Sequence, residues 1–288
     1  GGTVTTSFEF EGRARSYEQR VPSAYDGVTP LPVVLNWHGL GSNGPDQLGF
    51  SEYGTLAESE GFIVIAPTGV ASPDDADGRN SWELEPDQDP GRDDIAFANQ
   101  VLDMVIADLC VDASRVYTTG MSNGGYFSSV LACEMSDRIA AAAAVAALTH
   151  ADDCDPERDV PIIGFHGTDD DVVPYDGGGI SSLAPDIVVP LFELKILDEF
   201  AEFAVNAGCD AEPVVTEFSE NVNQFDFGGC ADGVTRTFYE IEQGGHTWPG
   251  SILSSLISES VGLGKTTTQI NASQVSWDFF EQHTLPIE

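Results

Sequence analysis

The sequence predicts an α/β protein: a mostly parallel central sheet with helices on both faces and an N-terminal hairpin at its edge. Three observations lead there. Short continuous apolar runs recur at residues 33–37, 62–66, 139–147 and 160–165, the pattern of strands buried on both faces. Segments with apolar residues at helical spacing alternate with the strands, as a parallel sheet requires. The first twenty residues instead alternate around Glu11-Gly12, the period of a strand with one covered face.

Residues 4–10 and 14–21 form the hairpin. A turn region rich in Pro, Gly and Asp (22–32) leads into Val33-Val34-Leu35-Asn36-Trp37 and then His38-Gly39-Leu40-Gly41-Ser42. Residues 53–60 read as a helix stopped by Gly61, and Phe62-Ile63-Val64-Ile65-Ala66 as the next strand, stopped by Pro67. Residues 71–93 form a loop rich in Asp, Pro and Gly with Trp82 in the middle. Its length is that of a functional loop rather than a plain connection. Asp93 and Asp94 open a helix carrying Ile95, Ala98, Leu102, Val105, Ile106 and Leu109 at helical spacing, and their charge suits the positive end of its dipole. A β-prone run at 115–119 precedes Gly120-Met121-Ser122-Asn123-Gly124-Gly125, and a helix follows to about Met135. Strands at 139–147 and 160–165, a helix at 191–207 closed by Gly208, strands at 214–218 and 235–241, and an amphipathic helix at 271–283 complete the chain. No repeat, low-complexity tract or linker divides it. Residues 1–288 are expected to form a single catalytic domain.

Gly-x-Ser-x-Gly between a strand and a helix is the context of a nucleophile elbow. The sharp turn strains the serine backbone, and side chains at the flanking glycines would collide with the neighbouring strand or helix. The Ser122 hydroxyl is then exposed at a helix N-terminus, with the Asn123 amide aimed where an oxyanion would form. Ser122 is the expected nucleophile. A serine needs a base, and the base an orienting group. His246 stands in Gly244-Gly245-His246-Thr247-Trp248-Pro249-Gly250, just after the last strand and so at the sheet edge that carries the elbow. His38-Gly39 holds the position of an oxyanion loop, with the Leu40 amide as second donor and the His38 imidazole as a brace. His166 reads as packing near the acid loop, and His150 and His283 carry no expected role. The orienting carboxylate lies among Asp169, Asp170 and Asp171, which spacing alone does not separate.

Eleven basic residues against 48 acidic ones give a formal charge of −37, a surface that repels nucleic acid and anionic membranes. No run of eighteen apolar residues offers a membrane span. The same charge repels itself, and salt screens that repulsion over about 10 Å at 0.1 M. A salt-adapted source is expected. The five cysteines include no Cys-x-x-Cys and no Cys/His cluster, so no metal site is expected. Cys209 and Cys230 bracket the loop-rich segment 210–229 and read as a disulfide staple between neighbouring strands. Cys110, Cys133 and Cys154 lie around the nucleophile unit, with their pairing open. Disulfides imply an oxidising compartment, hence a secreted protein.

Four segments together carry a resemblance. They are Val33…Trp37-His38-Gly39, Gly120-Met121-Ser122-Asn123-Gly124-Gly125, Phe165-His166-Gly167-Thr168-Asp169-Asp170-Asp171-Val172-Val173-Pro174-Tyr175 and Gly244-Gly245-His246-Thr247-Trp248-Pro249-Gly250. Over about its whole length the chain resembles the poly(3-hydroxybutyrate) depolymerase/feruloyl esterase family of secreted α/β-hydrolases. The family pattern His-Gly-Thr-x-Asp-x-x-Val-Pro-Tyr places its aspartate on Asp170. The resemblance implies the α/β-hydrolase fold and ester hydrolysis through an acyl-enzyme, without metal or cofactor. Its substrates would be feruloyl or acetyl esters of plant cell-wall polysaccharide, or polyester chains. Trp82 and Trp248 are expected to line the acyl or leaving-group pocket, since aromatic faces suit sugars, ferulate rings and polyester segments alike. Two departures bear on substrate choice: the oxyanion loop reads His-Gly-Leu-Gly-Ser where many relatives carry a cysteine after the glycine, and the 71–93 loop is unusually acidic. The rival readings are a peptidase of the same fold and a carbohydrate- or polymer-binding protein that lost catalysis.

Overall fold

Successive side chains on a strand point to opposite faces of its sheet, and the buried runs of this chain use that alternation to build two cores. Val33, Leu35 and Trp37 join Ile63 and Ile65 on one face, while Val34 and Val64 join Tyr117 and Ala143 on the other. The computed structural model describes residues 2–72, 75, 77–84, 92–148, 156–177 and 195–286. Its elements in chain order are β1 (Gly2–Phe10), β2 (Arg13–Val21), β3 (Leu31–Trp37), α1 (Gly44–Ser51), α2 (Tyr53–Glu60), β4 (Ile63–Thr68), β5 (Val70–Ala71), β6 (Asn80–Ser81) and α3 (Asp94–Asp108). There follow β7 (Val111–Met121), α4 (Asn123–Glu134), β8 (Ala141–Val145), β9 (Ile162–Gly167), α5 (Ile196–Asn206), β10 (Val214–Ser219), β11 (Val222–Phe227), β12 (Arg236–Ile241), α6 (Ile252–Ile257) and α7 (Ala272–Phe280).

Ten of these strands form one sheet, ordered β1-β2-β4-β3-β7-β8-β9-β12-β11-β10. The six from β4 to β12 are parallel to one another. The β1–β2 hairpin adds antiparallel to β4 at one edge, and β11 and β10 add antiparallel to β12 at the other. Phe97 and Val101 of α3, Leu131 of α4 and Phe200 of α5 cover the first face. Tyr53 of α2 and Trp277 and Phe280 of α7 cover the second. Each fully buried side chain of this size contributes roughly 1.5–3 kcal/mol relative to exposure. Trp37 joins β3 to β7 through its indole as well, donating to Thr118 Oγ1 at 2.9 Å. This is the sheet, the hairpin edge and the two-sided helical cover expected from periodicity.

Five of these elements were not expected: the short antiparallel pair β5–β6, whose second strand falls in the 71–93 segment read as a loop, and α1, α6 and β11. In α1 the Asn43 side chain accepts from the Asp46 amide and a proline fills the first turn, a start signal masked by the glycines around it. Ser251 caps α6 in the same manner. The strand β11 lies in the segment read as loop-rich; its sequence, Val-Asn-Gln-Phe-Asp-Phe, lacks a clean alternation, and Asn221 takes φ 63° in the two-residue turn before it. At α3 the acidic pair divides its work. Asp93 is the N-cap, accepting from the Ala96 amide at 2.7 Å, while Asp94 is buried between Arg15 and Arg92. The expected start of the 191–207 helix and residues 73, 74, 76 and 85–91 of the 71–93 loop lie outside the described residues.

Cys209 and Cys230 are bonded and join the chain just before β10 to the chain just after β11. Cys133 is also in a disulfide, and Cys110 is a free thiol. Cys154 and His150 lie outside the described residues. Among the described residues no helix is long and apolar enough to cross a membrane.

Candidate active site

Ser122 sits between the end of β7 and the start of α4 with φ 56° and ψ −125°. A non-glycine residue in such a conformation stores about 1–3 kcal/mol and persists only where its surroundings force it. Here they do. The Ser122 amide donates to Val145 O at 2.9 Å, and its carbonyl accepts from the amides of Gly125 and Tyr126. A Cβ on Gly124 would stand 2.2 Å from Trp37 O, and one on Gly120 would stand 2.3 Å from Gly124 O. Strand and helix approach too closely at this corner for any side chain but hydrogen.

The loop after β3 lies against the serine. A Cβ on Gly39 would come within 3.3 Å of Ser122 Cβ and 3.9 Å of its Oγ. The amides of Leu40 and Asn123 donate to no protein acceptor among the described residues. His38 is fully buried behind this loop, with Nδ1 2.7 Å from Gly39 O and Nε2 2.9 Å from the Gly69 amide. Since Nε2 must accept there, the proton sits on Nδ1. Burial pushes this imidazole down to about 4, so it stays neutral as a two-ended brace.

Asp170 follows β9 and His246 follows β12. Their Oδ2 and Nδ1 atoms are 2.8 Å apart, with both side chains nearly inaccessible to solvent. The other carboxylate oxygen accepts from the amides of Val172 and Val173, each at 2.8 Å. Burial alone would raise the Asp170 carboxyl, but the His246 charge and hydrogen bond, His166 and the Val173 amide outweigh it and hold the group below its ordinary range. A carboxylate accepting at Nδ1 leaves the Nε2 lone pair of His246 available. Asp169 and Asp171 are both exposed. Thr168 and Asp169 stitch the acid loop to the histidine loop: Gln243 N donates to Thr168 Oγ1 at 2.8 Å and Asp169 N to Gly244 O at 2.9 Å. A Cβ on Gly167 would lie 2.1 Å from Gly244 O, so this approach also needs glycine. His166 is buried beside the pair, its Nε2 2.9 Å from Val173 O, and burial lowers its pKa.

Ser122, Asp170 and His246 thus follow β7, β9 and β12, parallel strands of one sheet, and stand at its C-terminal edge. No group of three or more His, Cys, Asp or Glu among the described residues is arranged to hold a metal ion.

The two tryptophans expected to line a pocket are core residues. Trp82 is 2% exposed, stacks on Phe127 at 5.3 Å, and donates from its indole to His38 O at 2.9 Å. Trp248 is 0% exposed; it donates to Ser273 Oγ at 2.8 Å and meets the Tyr53 ring edge-on. Both rings are buried and each indole N–H has its partner inside the protein, so neither ring presents a face to substrate. The side chain of Asn123 was missed altogether. Its Oδ1 accepts from the Trp82 amide at 2.6 Å and its Nδ2 donates to the Trp82 carbonyl at 3.1 Å. The two residues are forty-one positions apart, so no local pattern signals the contact.

The acetyl xylan esterase from Aspergillus awamori superposes with a TM-score of 0.58 at 18% identity, covering 91% of this chain and 100% of that one. The chain has the α/β-hydrolase fold. The sequence is 28% identical over 272 residues to feruloyl esterase B of Piromyces equi, covering 93% of the chain but 45% of that enzyme. It is 27% identical over 275 residues to a probable feruloyl esterase C of Aspergillus niger, covering 92% of the chain and 83% of that protein. The chain therefore spans less than half the length of the first relative and most of the second. These relatives bear out the resemblance to feruloyl esterases. The model of the prolyl oligopeptidase family matches residues 49–162, a segment that includes Ser122 and ends before Asp170 and His246.

Proposed function

We propose that this chain is a serine carboxylic-ester hydrolase working through an acyl-enzyme, with residues 1–288 acting as one catalytic domain. The observation that carries the reading is the buried Asp170–His246 hydrogen bond at the sheet edge that also holds Ser122 on its strained elbow. Asp170 accepts the Nδ1 proton and fixes the tautomer. His246 Nε2 takes the Ser122 proton as Oγ attacks the ester carbonyl carbon. The carbonyl electron pair moves onto oxygen, where the amides of Leu40 and Asn123 hold it. Collapse breaks the bond to the alcohol, which leaves with the proton from His246. Water then gives its proton to Nε2, attacks the acyl-enzyme and releases the acid, and Ser122 recovers its proton. Side chains and amides supply every step, without metal or cofactor.

Feruloyl or acetyl esters of plant polysaccharide are the favoured substrates, supported by the names of the relatives. Polyesters such as poly(3-hydroxybutyrate) stand next, on the motif resemblance alone. The Cys209–Cys230 disulfide supports secretion, and the charge of −37 supports a salt-rich setting. The prolyl oligopeptidase match favours a second reading, a peptidase of the same fold. Initial rates on methyl ferulate, acetylated xylan, a poly(3-hydroxybutyrate) film and a dipeptide p-nitroanilide separate the two. Ester turnover is expected; peptide turnover without ester turnover would replace the first reading by the second.

A further inference from the structure

The backbone of Trp82 is held by one side chain of the elbow, and its indole holds the oxyanion loop. Asn123 meets both peptide groups of Trp82, accepting from its N–H and donating to its C=O, the two-bond pattern of a strand pair. From the same residue, the indole N–H reaches His38 O at 2.9 Å. Two further bonds join this segment to the loop: Gly41 N donates to Asn80 O at 2.7 Å, and Asn80 Nδ2 donates to Ser42 O at 3.0 Å. The segment is itself anchored from behind. Glu83 N donates to Asp94 Oδ2 at 2.9 Å, and Arg92 donates to the Ser81 carbonyl. Asp94 is pinned between Arg15 and Arg92, each at 2.7 Å with side chains at most 2% exposed.

We infer that Trp82 and the Asn123 side chain are positioning residues that fix the spacing between the two oxyanion donors, the Leu40 and Asn123 amides. The inference rests on the ester-hydrolase reading. The donors belong to different elements, the loop after β3 and the first turn of α4. Besides the sheet, residues 80–83 connect them directly. An asparagine is the residue this clasp needs: aspartate would set a carboxylate oxygen against the Trp82 carbonyl, and alanine would reach neither group. Donors preorganised at a fixed separation stabilise the developing charge without reorganising, so loosening them affects the transition state and not substrate binding.

The test compares the wild-type chain with Asn123→Ala, which keeps the backbone amide, and Trp82→Phe, which keeps the ring and loses the indole N–H. Rates on p-nitrophenyl acetate are divided by the serine titrated with a fluorophosphonate, so that misfolded protein does not count. Phenylboronic acid, which forms a tetrahedral adduct with an active-site serine, reports on the oxyanion site. Asn123→Ala should lose on the order of 10²-fold in kcat and Trp82→Phe roughly tenfold, with KM within about twofold of wild type. Inhibition by phenylboronic acid should weaken by similar factors. A wild-type kcat per titrated serine in either variant overturns the inference. Where alanine prevents folding, Asn123→Asp serves in its place with the same expectation. A wild-type chain with no ester turnover removes the ester-hydrolase reading and this inference together, whereas turnover with unimpaired variants removes only the inference.

Discussion

Asp170 Oδ2 lies 2.8 Å from His246 Nδ1, and two backbone amides occupy the other oxygen of the same carboxylate. The aspartate is thereby fixed in place before it orients the histidine. Asp170→Asn puts an amide where the imidazole needs an acceptor, and the wrong tautomer follows. A loss of about 10⁴-fold in kcat is expected. Asp169→Asn and Asp171→Asn, at exposed positions, should stay within about twofold of wild type. Steady-state kinetics on p-nitrophenyl acetate decide it; a large loss at either flanking aspartate would contradict the assignment.

Gly124 and Gly54 offer a matched pair. A methyl at Gly124 would overlap Trp37 O, while one at Gly54 in α2 meets nothing within 4 Å. Gly124→Ala should cost about 1–3 kcal/mol or more through forced backbone shifts. Gly54→Ala should gain up to about 1 kcal/mol from helix propensity. Urea unfolding midpoints of the two variants should move in opposite directions. Equal shifts would contradict the packing described at the elbow.

His38 makes stability depend on pH. Its imidazole is pushed by burial down to about 4 from the ordinary 6.5, so between those values the unfolded chain binds a proton that the folded chain does not. Stability therefore falls as pH drops from 6.5 toward 4. Burial lowers His166 as well, which adds in the same direction. His38→Gln keeps a donor and an acceptor on one side chain and removes this group's share, roughly 3 kcal/mol at most. Denaturant unfolding at pH 7 and pH 4.5 should show a larger loss for wild type than for the variant. Equal losses would assign the pH dependence elsewhere.

Much of this architecture was legible because its signals are local. The period of two in residues 4–21, the apolar runs and the Gly-x-Ser-x-Gly turn each report on neighbours a few positions away. What failed was non-local. Three aspartates in a row look alike to local spacing, and it took the family pattern to choose Asp170, the buried one. A tryptophan in a loop reads the same whether it faces substrate or core, and for Trp82 and Trp248 the answer lay in His38 O and Ser273 Oγ, many residues away. Asp94 followed an equally sound local rule for helix starts, yet serves Arg15 across seventy-nine positions. The strand β11 was hidden by polar residues on its half-exposed positions and by the cysteine that follows it.

The charge of −37 has its own consequence. Among surface carboxylates with few cations between them, repulsion extends over a Debye length and shrinks as salt rises. The melting temperature should climb by several degrees between about 10 mM and 1 M sodium chloride. An unchanged melting temperature would contradict salt adaptation.

The most direct measurement is hydrolysis by the wild-type chain and Ser122→Ala, side by side, on methyl ferulate and p-nitrophenyl acetate. The wild type should turn over at least one of them, and the alanine variant should lose on the order of 10⁶-fold in kcat, as removal of a triad serine does. A wild type no faster than Ser122→Ala on both esters would contradict the assignment of Ser122 as the nucleophile of an ester hydrolase.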